Sequence, residues 1–315
     1  MNIRASLAEM TFRGRSFCLL CVASFALAML VLEEVSPGEI QDGNRARRRL
    51  LEYGRTIYVV TGTYQRSNQI PEMTQLAQTL MLVPDVHWIV AEDTRVDNKR
   101  LMEYLQFTGI PFTYLKTPTP RKFLKMDTLP VGASSCRAAI AWIRKNAKTG
   151  VVYFADEGNI YDYKLFEEIR STRGVSIFPV GFVPPLQLST PVVKEGRLSG
   201  WYDGLAIDRK FPVDMAGFAF SVELLHHRPR ANVDWSYDFQ EESLLKGLGI
   251  PPEMMELKAE KCTKIFVWCV ESILPKPATR ELCDRQYDGT NLRLLESQIE
   301  MEGTSCLYDT RHKLL

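Results

Sequence analysis

The sequence predicts an α/β protein built on a mostly parallel twisted sheet with helices on both faces and a smaller half appended. Three observations predict it. Short apolar runs alternate with amphipathic stretches at close spacing from about Thr56 to Val180, the pattern of repeated strand–helix units. The run Val151–Ala155 is apolar throughout, as suits a strand covered on both faces. From Pro184 the alternation loosens into segments rich in Pro, Gly and aromatic residues, unlike a repeat of the first half.

In order, Thr56–Val60 reads as a strand, and Pro71 suits the first residue of a helix through Glu72, Leu76 and Leu80, where a missing N–H costs nothing. His87–Val90 is the next strand, and a helix over Arg100–Phe107 stops at Gly109. Phe112–Leu115 is a strand; Ser134–Asn146 is a helix with Ile140 and Ile143 on one face. Val151–Ala155, a helix over Tyr163–Arg170 and a strand at Ser176–Val180 complete the run. Ligands of such sheets bind beyond the carboxyl ends of the strands, which places Thr61–Arg66, Ala91–Asp93 and Asp156–Gly158 at one rim.

With 315 residues, 45% hydrophobic and 24% charged, the chain can bury one large core or two small ones. A formal net charge of +1 gives no electrostatic case for nucleic acid, so anion recognition must be local. The first forty residues differ in kind. Arg13 and Arg15 precede the uncharged stretch Phe17–Leu32, which Glu33 and Glu34 close: a membrane anchor with a cytoplasmic N-terminus and a lumenal body. A signal peptide cleaved near Ala26-Leu27-Ala28 is the alternative. The expected organisation is a tail over 1–16, an anchor over 17–32, a polar stem over 33–55 and a lumenal domain over 56–315, itself divided into 56–183 for a nucleotide, 184–275 for an acceptor and a tail over 276–315. Five cysteines lie beyond the apolar stretch, so at least one is free or pairs between chains.

Within this frame YVVTGTYQR presents Tyr64 and Arg66 at the rim; the tyrosine either stacks on a nucleobase or closes the core edge. Asp93 either accepts a base N–H or merely ends its strand. In YFADEGN two acids, Asp156 and Glu157, end a buried strand, an arrangement that serves a divalent ion against a diphosphate and also occurs in plain turns. FPVDMAGFAF sets Asp214 in an apolar frame, as a hydrogen-bond hub or a sugar-binding acid. QEESLL opens a helical pattern with Glu241 and Glu242, whose bland role is to complement the helix dipole. Trp88, Trp142 and Trp268 read as core, and His226-His227 as surface.

Taken together, IYVVTGTYQR, HWIVAEDT, VVYFADEGNIYDYKLFEEIRSTRGVS, FPVDMAGFA and QEESLL resemble the animal β-1,3-glucuronosyltransferases of glycosyltransferase family 43, over about Thr56 to Trp268. The resemblance implies a GT-A fold, usually dimeric, on a single-pass type II anchor in the Golgi membrane. It implies manganese-dependent, inverting transfer of glucuronic acid from UDP-glucuronic acid to a terminal galactose of glycoprotein or proteoglycan-linker glycans. By position, Tyr64 would stack on uracil, Asp93 would bind its N–H, and Asp156 with Glu157 would face ribose and donor sugar. Arg209 and Asp214 would hold the acceptor sugar, and Glu241 would be the general base.

The departures cluster. Where the family carries three consecutive aspartates, the third the metal ligand, this chain has Asp156, Glu157 and Gly158, leaving Glu157 to reach a manganese ion. Two family arginines correspond to Val131 and Cys136, a diphosphate-binding histidine to Cys269, a nearby arginine to Glu271, and an acceptor-side glutamate to Ser189. Arg121, Lys122, Lys125 and Arg137 are the candidates to compensate. The alternative reading is therefore a catalytically impaired relative that acts as a Golgi partner or glycan-binding protein.

Overall fold

The computed structural model of the chain describes residues 54–123, 132–204, 209–235 and 240–270; the apolar stretch 17–32, the stem before Gly54, Lys125, Val131 and everything after Val270, Glu271 included, lie outside the described residues. Among the described residues no helix is long and apolar enough to cross a membrane.

The first half follows from hydrophobic periodicity. Strand β1 (Ile57–Thr63) pairs in parallel with β2 (Val86–Glu92) on one side and β4 (Val151–Phe154) on the other, and β3 (Phe112–Lys116) pairs in parallel with β2. Successive residues of a strand face opposite ways, and the core divides accordingly. Val59, Trp88 and Tyr153 pack with the buried stripe Met73, Leu76, Ala77 and Leu80 of α1 (Gln69–Leu80) and with Leu101 and Leu105 of α2 (Lys99–Thr108). Val60, Ile89, Val152 and Phe154 pack against Ile140 and Ile143 of α3 (Ala133–Asn146) on the other face. Gly109 ends α2 at a φ of 69°, a left-handed conformation glycine adopts without strain. Pro71 is the third residue of α1, inside the first turn, whose N–H groups have no intrahelical acceptor.

The structure departs from expectation in three places. β1 and β2 run past Val60 and Val90, which carries Thr63 and Glu92 to the rim as buried polar residues. The expected strand Ser176–Val180 is two strands in two sheets: β6 (Val175–Ile177) lies in the main sheet and β7 (Val180–Gly181) in a second one. Pro179, which has no N–H to donate, stands at the break. The main sheet is also not wholly parallel, because β10 (Phe218–Ser221) enters antiparallel between β4 and β6, giving the order β11-β6-β10-β4-β1-β2-β3 with β11 (Glu256–Leu257) at the edge.

The second sheet, of five strands in the order β5-β12-β7-β8-β9, was not foreseen. Its hairpin of β8 (Leu188–Lys194) and β9 (Arg197–Tyr202) turns on Glu195-Gly196, both at positive φ, 53° and 75°, the tight turn that matches strand twist. β5 (Ile160–Tyr161) and β12 (Val267–Trp268) are two residues each, too short to carry a period. Helices α4 (Lys164–Ile169), α5 (Val222–His227) and α6 (Gln240–Leu248) complete the described elements used below. Trp88 is fully buried as expected, its Nε1 donating to Thr61 Oγ1 at 2.9 Å, whereas Trp142 and Trp268 are only partly buried. His226 and His227 are both exposed as expected, with His226 Nε2 2.8 Å from the Ala147 carbonyl.

Candidate active site

Because β1, β2 and β4 are parallel neighbours, their carboxyl ends open on one rim. Tyr64 leaves β1 with 52% of its surface exposed, and the Arg66 guanidinium sits over its ring, 4.7 Å from the centroid. One face of the ring is thus already covered by a cation. Asp93 leaves β2 and is exposed, but it is not idle: Oδ1 accepts from the Thr119 N–H at 2.8 Å and Oδ2 from the Thr119 hydroxyl at 2.6 Å. These bonds fix its direction and leave each carboxylate oxygen a second lone pair.

At the end of β4 the two acids part. Glu157 turns inward, 2% exposed, pairs with Arg66 and accepts from Thr63 Oγ1 at 2.9 Å. Arg66 is shared with Glu72. Thr63 in turn accepts from Gln69 Nε2, which also donates to Glu92, and Glu92 accepts further from Asn98 Nδ2 and Tyr114. Burial pushes the Glu157 carboxyl up to about 8; Arg66 opposes that rise and the charge of Asp156 adds to it. Its second oxygen, Oε2, is buried with no hydrogen-bond partner.

Asp156 lies outward and exposed, with Oδ1 accepting from the Gly158 N–H at 3.2 Å. The surrounding protein desolvates it enough to raise its carboxyl, against the Gly158 bond and the Arg66 charge, which lower it. Tyr161 donates to its carbonyl at 2.9 Å.

The residues at this turn do not fit a manganese ion. A hard divalent cation needs several ionised oxygens converging from one side. Gly158 offers no side chain, Glu157 points into the protein toward Arg66, and among the described residues no group of three or more His, Cys, Asp or Glu could hold a metal. Glu157 as the remaining metal ligand is therefore corrected: it lies in the turn after β4, and the Thr63 hydroxyl and the ion pair with Arg66 hold its side chain toward the interior.

The residues expected to hold the acceptor, with Glu241, lie close to one another. Asp214 precedes a short 3₁₀ turn, Met215–Gly217, and caps it, its Oδ1 accepting from the Ala216 N–H at 2.8 Å, while its own N–H donates to Ser189 Oγ at 3.3 Å. Burial raises its carboxyl, and the charges of Asp203 and Asp156 raise it further. Glu241, in the first turn of α6, is pushed up to about 7, first by burial, then by Asp214 and Asp203, with its own backbone N–H and Arg209 pulling the other way. Cys136 feels both Glu241 and Asp156, and Cys269 feels both Asp214 and Asp156. Asp156, Asp214 and Glu241 with Arg209 thus lie within electrostatic reach at one place, and the thiols of Cys136 and Cys269 lie there too.

Tyr64, Asp93 and Asp156 share the rim as expected, and Asp214 and Glu241 face it; Glu157 alone is withdrawn. Arg137 does not serve as a compensating cation: it donates to the Val233 carbonyl and lies 5.3 Å from the Trp235 ring centroid. Three contributors were missed. Asp203 adds its charge to Asp214 and Glu241, Thr119 holds Asp93, and Glu72 shares Arg66. Only Thr119 left a sequence signal, in the Thr-Pro-Thr-Pro run at 117–120, where proline favours an extended, returning chain.

With that geometry in hand, the family model described as "Glycosyltransferase family 43" matches residues 76–272. The chain is 38% identical over 262 residues to a Drosophila melanogaster protein named galactosylgalactosylxylosylprotein 3-beta-glucuronosyltransferase S, covering 80% of this chain and 64% of that one. It is 36% identical to the Drosophila melanogaster protein of the same name ending in P, covering 76% of this chain and 50% of that one. To the Mus musculus protein named galactosylgalactosylxylosylprotein 3-beta-glucuronosyltransferase 2 it is 39% identical, covering 75% of this chain and 76% of that one. The chain thus spans about two thirds and half of the lengths of its two Drosophila relatives.

Proposed function

The chain belongs to glycosyltransferase family 43, and from that premise we propose that it transfers glucuronic acid from UDP-glucuronic acid to the terminal β-galactose of a protein-linked glycan, with inversion. One observation carries the reading: a half-buried carboxylate, Glu241, held near 7 and acted on by the charges of Arg209 and Asp214. A base poised near neutral pH is matched to taking a hydroxyl proton as a bond forms. In the transfer, the acceptor hydroxyl oxygen bonds to the sugar's anomeric carbon while the bond from that carbon to the diphosphate oxygen breaks. UDP leaves with the electron pair, and the hydroxyl proton goes to Glu241.

Arg209 and Asp214 orient the galactose, Tyr64 offers an exposed ring to uracil, and Asp93, fixed by Thr119, accepts the base N–H. Asp156 lies toward ribose and donor sugar; Glu157 acts from behind, through Arg66, rather than on the donor. No step runs through manganese. We place the protein in the Golgi membrane as a single-pass type II dimer, on the apolar stretch 17–32 and the family membership. The test incubates the purified full chain with UDP-[14C]glucuronic acid and a β-galactoside and follows labelled product. Labelled, inverted product that Glu241→Gln loses supports the reading. No product, with galactoside binding retained, overturns it in favour of a glycan-binding role.

A further inference from the structure

Glu242 follows the proposed base and is a carboxylate that the transfer does not use. It is 3% exposed, and a carboxylate so placed needs partners. Its Oε1 accepts from the backbone N–H of Lys210 at 2.7 Å and pairs with Lys246 Nζ at 3.0 Å, one turn along α6. The first bond crosses 32 positions of sequence to the segment that carries both proposed acceptor residues. Lys210 is flanked by Arg209, whose charge reaches Glu241 and Glu242, and by Phe211, which is buried in the core. Farther along, the Asp214 N–H is held by Ser189. An acid that only complemented its helix dipole would need no partner outside α6.

We propose that Glu242 is a positioning residue: by accepting the Lys210 backbone N–H it holds Arg209 in register with Glu241, so that acceptor sugar and base meet in one geometry. This rests on the reading above, in which Arg209 and Glu241 serve the acceptor. The groups whose charges act on Glu241 are Asp214 and Asp203, which raise it, and Arg209, which lowers it; the Cys136 thiol lies near it as well.

The experiment compares Glu242→Ala with Glu242→Gln, which keeps an oxygen for the Lys210 N–H. Titration gives the affinities for a β-galactoside and for UDP, and kcat/KM is followed against pH. Glu242→Ala weakens galactoside binding on the order of tenfold, leaves UDP binding within about twofold, and raises the midpoint of the pH profile as Arg209 is released. Glu242→Gln restores galactoside binding to within about threefold. Wild-type galactoside affinity in Glu242→Ala, a parallel loss of UDP affinity, or a folded Glu242→Gln without rescue each overturns the proposal. Should Glu242→Ala not fold, Glu242→Ser, too short to reach Lys210, takes its place. A wild-type chain that binds galactoside without transferring overturns the enzymatic reading but leaves the galactoside comparison to decide on Glu242; one that binds no galactoside overturns both.

Discussion

The position of Glu241 makes the pH dependence of transfer the sharpest quantity to measure. An ordinary glutamate, at 4.5, would be fully ionised across the neutral range, and kcat/KM would be flat between about pH 6 and 8. Held at about 7, the carboxylate is roughly nine-tenths ionised at pH 8 and roughly one-tenth at pH 6, so kcat/KM falls about tenfold between them and about a hundredfold by pH 5. Glu241→Gln removes this limb and lowers kcat by about 10² to 10⁴.

The source of the displacement can be tested as well. Asp203 adds a negative charge that opposes ionisation of Glu241, so Asp203→Asn moves the midpoint down while leaving the base in place. Stability runs the other way. A carboxyl raised on folding stabilises the fold below its unfolded value and loses that contribution as pH rises through about 7, so Glu241→Gln melts at or above wild type at pH 8. The assay is initial rate at sub-saturating acceptor over pH 5 to 9, with melting by circular dichroism alongside. A flat profile, or a Glu241→Gln variant that retains transfer, refutes the assignment.

Three further outcomes follow from the donor side and the backbone. Gly158 is not among the glycines with positive φ, so Gly158→Asp adds a carboxylate beside Asp156 without left-handed strain, and manganese then strengthens UDP binding by at least about tenfold in the variant while changing wild type little; a wild-type UDP affinity already strongly manganese-dependent refutes the geometric argument. Arg66→Met strands the buried Glu157 without its cation, which costs about 3 kcal/mol and lowers the melting temperature by roughly 6–12 °C, more at pH 9 than at pH 6 because the stranded carboxyl must then ionise. The turn Ala259–Cys262 is a single left-handed turn with φ of 53°, 52°, 58° and 64°, so Lys261→Gly, at an exposed site, relieves strain and gains about 0.5–1 kcal/mol by chemical denaturation; a loss would show that other contacts hold the turn.

How much of this was legible in the sequence depends on distance along the chain. The parallel β1-β2-β3-β4 half was legible because each element announces itself locally, Gly109 closing α2 and the stripe Met73-Leu76-Ala77-Leu80 turning α1 inward. The rim residues Tyr64, Asp93 and Asp156 were legible for the same reason: strand ends are local, and parallel pairing does the rest. What failed was decided through space. The antiparallel entry of β10 is a contact between distant segments, and β5 and β12 are too short for any period. Adjacent acids read alike as Asp156-Glu157, yet a hydroxyl 94 positions away and Arg66 select one of them for the interior. Glu242 read as dipole charge, and only the Lys210 N–H distinguishes it from that.

The same through-space bonds decide where this chain departs from its family's expected chemistry. Arg66 stands at the donor rim, but its charge is divided between Glu72 and Glu157, and Arg137 is turned to Val233 and Trp235, so neither cation is directed at a diphosphate. Glu241, Arg209 and Asp214, the proposed base and acceptor residues, stay within mutual electrostatic reach. A diphosphate gains negative charge as the glycosidic bond breaks, so contacts to it are worth more in the transition state than in the bound donor. Weakening them lowers kcat together with donor affinity, whereas weakening the acceptor side would raise the acceptor KM. A chain with this distribution of charge therefore shows slow transfer at saturating acceptor, a high KM for UDP-glucuronic acid and an ordinary KM for the galactoside; the reverse pattern in a two-substrate matrix would place the defect on the acceptor side and contradict the roles assigned to Arg209 and Asp214.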